Sequence, residues 1–154
     1  MKNNKTKLLA LNGVIAAVYA VMTLINPLSF GVLQLRFSTL LLPLSFYVPQ
    51  VRAGLVLGTF IGNMNSSLGI IDMIFGTLVS AICVYGCQRI KNRYLQTICY
   101  ALDSGIIVAI ELYYCFKAPI VYSIFTVGIS GLIIYFIGTF IMKIISKTIN
   151  KYFI

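Results

Sequence analysis

The 154-residue chain reads as an all-α integral membrane protein with six transmembrane helices, and three observations predict that class. Apolar residues make up 60% of it and charged residues 10%, against about 45–50% and about 25% in an ordinary soluble domain. Mean hydropathy is +0.97, and apolar segments run the whole length, so neither a signal peptide nor a single anchor accounts for them. The basic residues fall in short stretches beside those segments, where they set orientation by staying cytoplasmic. Six spans at roughly 20 residues each use about 120 residues, so 1–154 is expected to be one transmembrane domain without a soluble catalytic or nucleotide-binding module.

The first helix, about 8–25, follows Lys2, Lys5 and Lys7 and stops at Asn26-Pro27, because proline disfavours a helical residue before it. It has no A-x-A cleavage pattern and more spans follow at once, so it reads as a mature helix. A loop with Ser29, Gly31 and Gln34 leads into the second helix, about 36–48, which ends before Pro49. The third, about 52–65, carries Gly54, Gly58 and Gly62. The fourth spans about 69–88 and is followed by the basic loop Arg89–Arg93. The fifth, about 95–116, breaks at Lys117 and Pro119, and the sixth, about 120–146, is the longest. At 1.5 Å per residue, the second and third are too short to cross about 30 Å of hydrocarbon. Irregular backbone at that depth is tolerated only where protein or a water-filled cavity surrounds it. The 26–36 loop and the 63–68 turn are therefore expected to line a cavity open to the outside.

Charge placement supports six spans over five or seven, and a four-span arrangement with the two short central helices as loops is the alternative. With the amino terminus cytoplasmic, six spans return the carboxyl terminus to the same side. Ten basic residues (Lys2, Lys5, Lys7, Arg52, Arg89, Lys91, Arg93, Lys143, Lys147 and Lys151) then lie inside, and only Arg36 and Lys117 outside. The formal charge of +9 thus reads as topology in a cell-membrane protein, not as nucleic-acid binding, since no basic run interleaves with aromatics in a soluble module. Cys83, Cys87, Cys99 and Cys115 lie in apolar stretches, with no CxxC and no histidine, so no metal site is expected. Catalytic arrangements are absent: no Ser/His pair, no HExxH, no paired carboxylates on one helix. No phosphate loop ending in GK[ST] occurs either, so ATP is not a cofactor of this chain, and any energy for transport must come from a partner.

In the six-span arrangement, polar residues distant in sequence gather at one depth. Gln34, Arg36 and Ser38 begin the second helix, Asn63, Asn65 and Ser66 end the third, and Asp72 begins the fourth. Glu111 falls in the outer half of the fifth, with Tyr113 and Tyr114 beyond it. Ionisable groups inside spans cost at least a few kcal/mol and usually face an interior site. These residues predict a small-molecule pocket open outward, with Arg36, Asp72 and Glu111 as its charged members and Tyr113 or Tyr114 stacking on a ring. The plainer reading pairs Arg36 with Asp72 near the headgroups and uses Asn63 to cap a helix. Asp103 is expected to make a helix–helix contact or to partner an inner basic residue.

Small residues recur at four-residue spacing: Gly13 with Ala17 and Ala16 with Ala20 on the first helix, and the Gly54 series on the third. In lipid, such stripes let helix backbones approach closely. The Gly54 series is expected inside the bundle, while the first-helix stripe suits either internal packing or docking of another protein.

The run "PLSFGVLQLRFSTLLLPLSFYVP" followed by "GLVLGTFIGNMNSSLGIIDMIFGTLVSAI" resembles the QueT family. These are substrate-binding S components of energy-coupling-factor transporters, linked to uptake of queuosine precursors. The resemblance extends to "GIIVAIELYY" and "VGISGLIIYFIG", and its most specific parts are Gln34-x-Arg36-x-Ser38 and Leu68-Gly69-x-x-Asp72-x-x-x-Gly76. It implies an S-component bundle, an outward substrate pocket, and a stripe on the first helix that docks the transmembrane coupling subunit. Ala16 and Ala20 fit that stripe, and two ATPase subunits would supply the power. The chain departs from the family pattern at two places where glutamate is usual: Thr39, after the arginine-x-serine, and Ser130-Gly131. Both bear on the ligand, because a 7-deazaguanine with a cationic aminomethyl group wants a carboxylate partner. A neutral base or related deazapurine is the corresponding alternative. A stand-alone transporter or channel is the other functional class, and it would need an inner polar path.

Overall fold

The structure, a computed structural model, describes residues 2–26, 36–66 and 68–153. Among them the regular structure is helical throughout: α1 (Lys2–Ile25), α2 (Leu44–Tyr47), α3 (Arg52–Asn63), α4 (Ile70–Ala81), α5 (Arg93–Phe116) and α6 (Ile120–Phe153). Among the described residues, four segments are long and apolar enough to cross a membrane: Lys5–Ile25, Ile70–Arg89, Arg93–Phe116 and Ile120–Phe153. The fourth of the expected helices is continuous but not uniform, since a π turn (Ile82–Gly86) and a 3-10 turn (Cys87–Arg89) prolong α4.

The expected second helix over 36–48 forms only in pieces. A 3-10 turn (Phe37–Leu41) and the one-turn α2 flank Pro43, which lacks an N–H for the ladder and sits at the N-cap of α2. Beyond Val48, Pro49 opens another 3-10 turn, Pro49–Val51, which leads directly into α3. At 12 residues α3 is about 18 Å long. Of the two short helices expected, the second is thus reduced to single turns and the third is α3, and neither is long enough to span alone.

Glycine decides how α3 is held. A Cβ at Gly54 would meet the Asn12 carbonyl oxygen at 2.5 Å, and one at Gly58 would meet Tyr19 Cβ at 2.7 Å and the Ala16 carbonyl at 2.8 Å. Gly62 lies against Thr23 in the same way. The stripe therefore lies inside the bundle against α1, close enough for Asn12 Oδ1 to accept a hydrogen bond from the Gly54 N–H at 2.6 Å. On the other side, α5 and α6 pack antiparallel across Gly105 and Gly128. Between the two pairs runs an apolar and aromatic core, including Phe46, Tyr100 and Tyr135, with the Tyr100 hydroxyl 2.9 Å from Ser45 Oγ.

Candidate functional site

Arg36 precedes the Phe37–Leu41 turn with extended backbone, φ −98° and ψ 104°, and its side chain is buried. The guanidinium meets two helix ends at once. One terminal nitrogen donates to Asn63 Oδ1 at 2.9 Å, in the last residue of α3. The other donates to Asp72 Oδ1 at 2.5 Å, in the first turn of α4. Asn63 Nδ2 closes the triangle by donating to the Asp72 carbonyl at 3.1 Å. A planar fork of fixed donors can serve two such acceptors, where a lysine ammonium would act as a point charge. Asp72 gains further from its place at the positive end of the α4 dipole.

Two glycines make this arrangement possible. Gly69, with φ +61°, turns the chain into α4 in a backbone conformation that side chains resist. Gly76 stands one helical turn after Asp72 on the same face, and a Cβ there would overlap the Asn63 amide and lie 3.1 Å from an Arg36 nitrogen.

Glu111 on α5 is fully buried and within electrostatic reach of Arg36, as are Asp72 and Tyr19. The cation is therefore paired with the Asp72 carboxylate and feels the charge of a second one, Glu111, from α5. Breaking such a buried set by removing one member is costly, on the order of 3–5 kcal/mol, because the remaining charge stays buried without compensation. Asp72 Oδ2 accepts no hydrogen bond from any described residue although it is buried, so this carboxylate keeps an acceptor oxygen in reserve.

Next to the cluster is a cavity of about 40 Å³ whose walls include Tyr19, Arg36, Thr39, Gly76, Ser104 and Tyr135. Thr59 and Ser80 also line it and hydrogen-bond each other at 2.7 Å, tying α3 to α4. The volume suits two or three waters and is far below the roughly 300 Å³ of a small-molecule site. A ligand can enter only if these walls move apart. Thr39 is part of the wall, and a Cβ at Gly131 would lie 3.3 Å from Ser104 Oγ and 3.4 Å from the Tyr135 ring. Of the two departures from the glutamate pattern, Thr39 thus lines this cavity, while Gly131 packs against two of its wall residues.

Of the residues the sequence singles out, Arg36, Asn63 and Asp72 come into direct contact and Glu111 joins them through space. Ser38 turns away to α1, accepting from Thr23 Oγ1 at 2.8 Å, and so anchors the segment that carries Arg36. Gln34 lies outside the described residues. Tyr113 and Tyr114 correct the expectation of ring stacking: both are exposed, set edge to face at 5.9 Å, with Lys117 Nζ over the Tyr113 ring. Asp103 accepts from the Cys83 thiol at 3.2 Å, a helix–helix contact between α4's extension and α5. Among the described residues, no group of three or more ligand-type side chains is placed to hold a metal. The sequence reading passed over Tyr19, Ser104 and Tyr135, which are core residues by pattern; the spacing Asp72-x-x-x-Gly76 was the available signal for Gly76.

The small-residue stripe of α1 divides between two faces. Ala16 and Ala20 are buried, Ala16 beneath Gly58, whereas Gly13 and Ala17 are exposed and Gly13 has open space beyond it. The inward face spaces α1 from α3, and the outward face carries Gly13 and Ala17 beside the exposed Val14 and Val18.

Residues 9–147 match the family model described as QueT transporter. No curated protein and no solved structure matches the chain.

Proposed function

The chain belongs to the QueT transporter family, a family of membrane transporters, and from that premise we propose that it is the substrate-binding subunit of an energy-coupling-factor importer. It captures a small nutrient, a queuosine precursor or a related deazapurine or nucleobase-like molecule, at the outer face. A transmembrane coupling subunit and two ATPase subunits then drive its delivery. The observation that carries this reading is the buried Arg36–Asn63–Asp72 triangle with Glu111 behind it, assembled from four segments at one end of the bundle. Such a cluster presents a fork of donors and several acceptors to one small cavity, the inventory that the edge of a purine-like ring needs.

On this reading the walls open to admit the ligand, Arg36 and Asn63 read its polar edge, and Asp72 and Glu111 take its N–H groups. Ser38 holds the segment that carries Arg36 through its bond with Thr23, and Gln34 contributes a further polar contact to the ligand. With Thr39 and Gly131 in place of two carboxylates, the cavity favours a neutral or weakly cationic base over one bearing an ammonium group. Docking of the coupling subunit falls to the α1 face that shows Gly13 and Ala17, while Ala16 and Ala20 hold α1 in position from within.

Uptake of a radiolabelled deazapurine by cells expressing the chain, with and without the coupling and ATPase subunits, tests the proposal. Uptake is expected only with all subunits present. Equal uptake by the chain alone would instead establish a stand-alone transporter.

A further inference from the structure

The end of the bundle opposite the Arg36 cluster carries a charge that the chain cannot neutralise. Arg93 opens α5 and Lys143 lies on α6, and both line a cavity of about 220 Å³ together with Tyr47, Tyr94, Thr139 and Phe140. Arg93 is braced for its position. Its guanidinium lies 5.6 Å from the Tyr47 ring centroid and donates to Gln96 Oε1 at 3.1 Å. The Tyr47 hydroxyl in turn donates to the Thr139 carbonyl at 3.3 Å. The sequence has only three acidic residues, and each is placed elsewhere: Asp72 on Arg36, Asp103 on Cys83, and Glu111 behind Arg36. Two cations beside this cavity therefore lack any side-chain carboxylate to balance them, and the α5 dipole adds positive potential at the same point.

The surroundings indicate which anion belongs there. Tyr94 stacks on Phe136 at 5.7 Å, Phe136 meets Phe140 at 5.7 Å, and all three rings are exposed. They form an aromatic strip that leads from the cationic cavity along α6, a spanning helix, into the hydrocarbon. A soluble anion has no use for that strip, whereas a lipid has both a phosphate and an acyl chain. Basic pockets between spanning helices are suited to anionic headgroups, at roughly one kcal/mol per cation.

We propose that this cavity binds one anionic phospholipid, its phosphate between Arg93 and Lys143 and an acyl chain along Tyr94, Phe136 and Phe140. The site is independent of the nutrient pocket, and its test does not require the nutrient to be known. The full chain in neutral-lipid nanodiscs is titrated with phosphatidylglycerol, with phosphatidylcholine and with inorganic phosphate, and bound lipid is weighed by native mass spectrometry. One phosphatidylglycerol is expected to be retained in preference to phosphatidylcholine. Arg93→Gln and Lys143→Gln are each expected to weaken it about fivefold and the double variant about 25-fold, with Lys117→Gln unchanged. Equal retention of the two lipids by the unaltered chain overturns the proposal, even where a variant fails to fold. So does undiminished retention by a folded double variant. Displacement of the lipid by millimolar inorganic phosphate also overturns it, because the site would then be one for free phosphate.

Discussion

Gly76 leaves empty the space that the Asn63 side-chain amide fills, and a methyl group at position 76 would overlap that amide. This relationship joins α3 to α4 at the point where Arg36 bridges them. Local helix propensity would favour alanine over glycine here by about 1 kcal/mol. Gly76→Ala is expected to do the reverse, destabilising the protein by about 1–3 kcal/mol through overpacking and displacing Asn63 from Arg36. Thermal unfolding in detergent, together with ligand binding, measures both effects. An unchanged melting temperature would mean that the cluster tolerates α4 at a greater distance.

The Arg36–Asp72 pair separates stability from recognition. Arg36→Ala and Asp72→Asn each leave a buried partner uncompensated, and each is expected to cost on the order of 3–5 kcal/mol. The double variant Arg36→Met/Asp72→Leu removes both charges and is expected to recover only part of that stability, because buried Glu111 then lacks its cation, while binding no ligand. Chemical denaturation gives the first quantity and equilibrium binding the second. Ligand binding by a folded double variant would remove the pair from the site.

The two faces of α1 make opposite predictions. Ala16→Leu puts volume between α1 and Gly58 and is expected to destabilise the bundle by about 1–3 kcal/mol. Ala17→Leu enlarges an exposed position, so its melting temperature is expected to stay put while pull-down of the coupling subunit is lost. If Ala17→Leu and Gly13→Leu both assemble normally, the docking surface lies on another helix.

Thr39 lines the cavity, and on the proposed reading a carboxylate at that position would face the ligand. Thr39→Glu is expected to shift preference toward an aminomethyl-bearing deazaguanine over a neutral deazapurine by about tenfold, the value of one charge-assisted hydrogen bond. Competition binding with the two ligands reads the ratio. No change in the ratio would place the ligand's amine away from position 39.

Where the sequence and the structure agree, the reason is the membrane. Apolar runs long enough to cross it show themselves as composition, so the long helices beginning near Lys5, Ile70, Arg93 and Ile120 are legible from hydropathy alone. The short elements are legible from what they lack: 36–48 and α3 are too brief to span, and Pro49 marks where the ladder fails, whereas the break at Pro43 shows only in the structure. The convergence of Arg36, Asn63 and Asp72 follows from the same logic, because charge is so scarce in this chain that a charge within a span must find a partner. Side-chain direction was not legible. Tyr113 and Tyr114 lie close to Glu111 in sequence, yet rotation about α5 turns them outward while Glu111 faces in. Ala16 and Ala17 are adjacent, and 100° of helix rotation puts one against Gly58 and the other outside.

By itself, then, the sequence determined the class of protein, its long helices and the few polar residues able to form a site, since lipid imposes those through length and the cost of charge. The tertiary structure decided which of them meet. It brought Gly76 under Asn63, turned Ser38 to Thr23 and placed Thr39 in the wall of one small cavity. It also set Arg93 and Lys143 around another. These outcomes depend on how far one helix is rotated and how closely it approaches the next, which is settled by packing between segments distant in the chain.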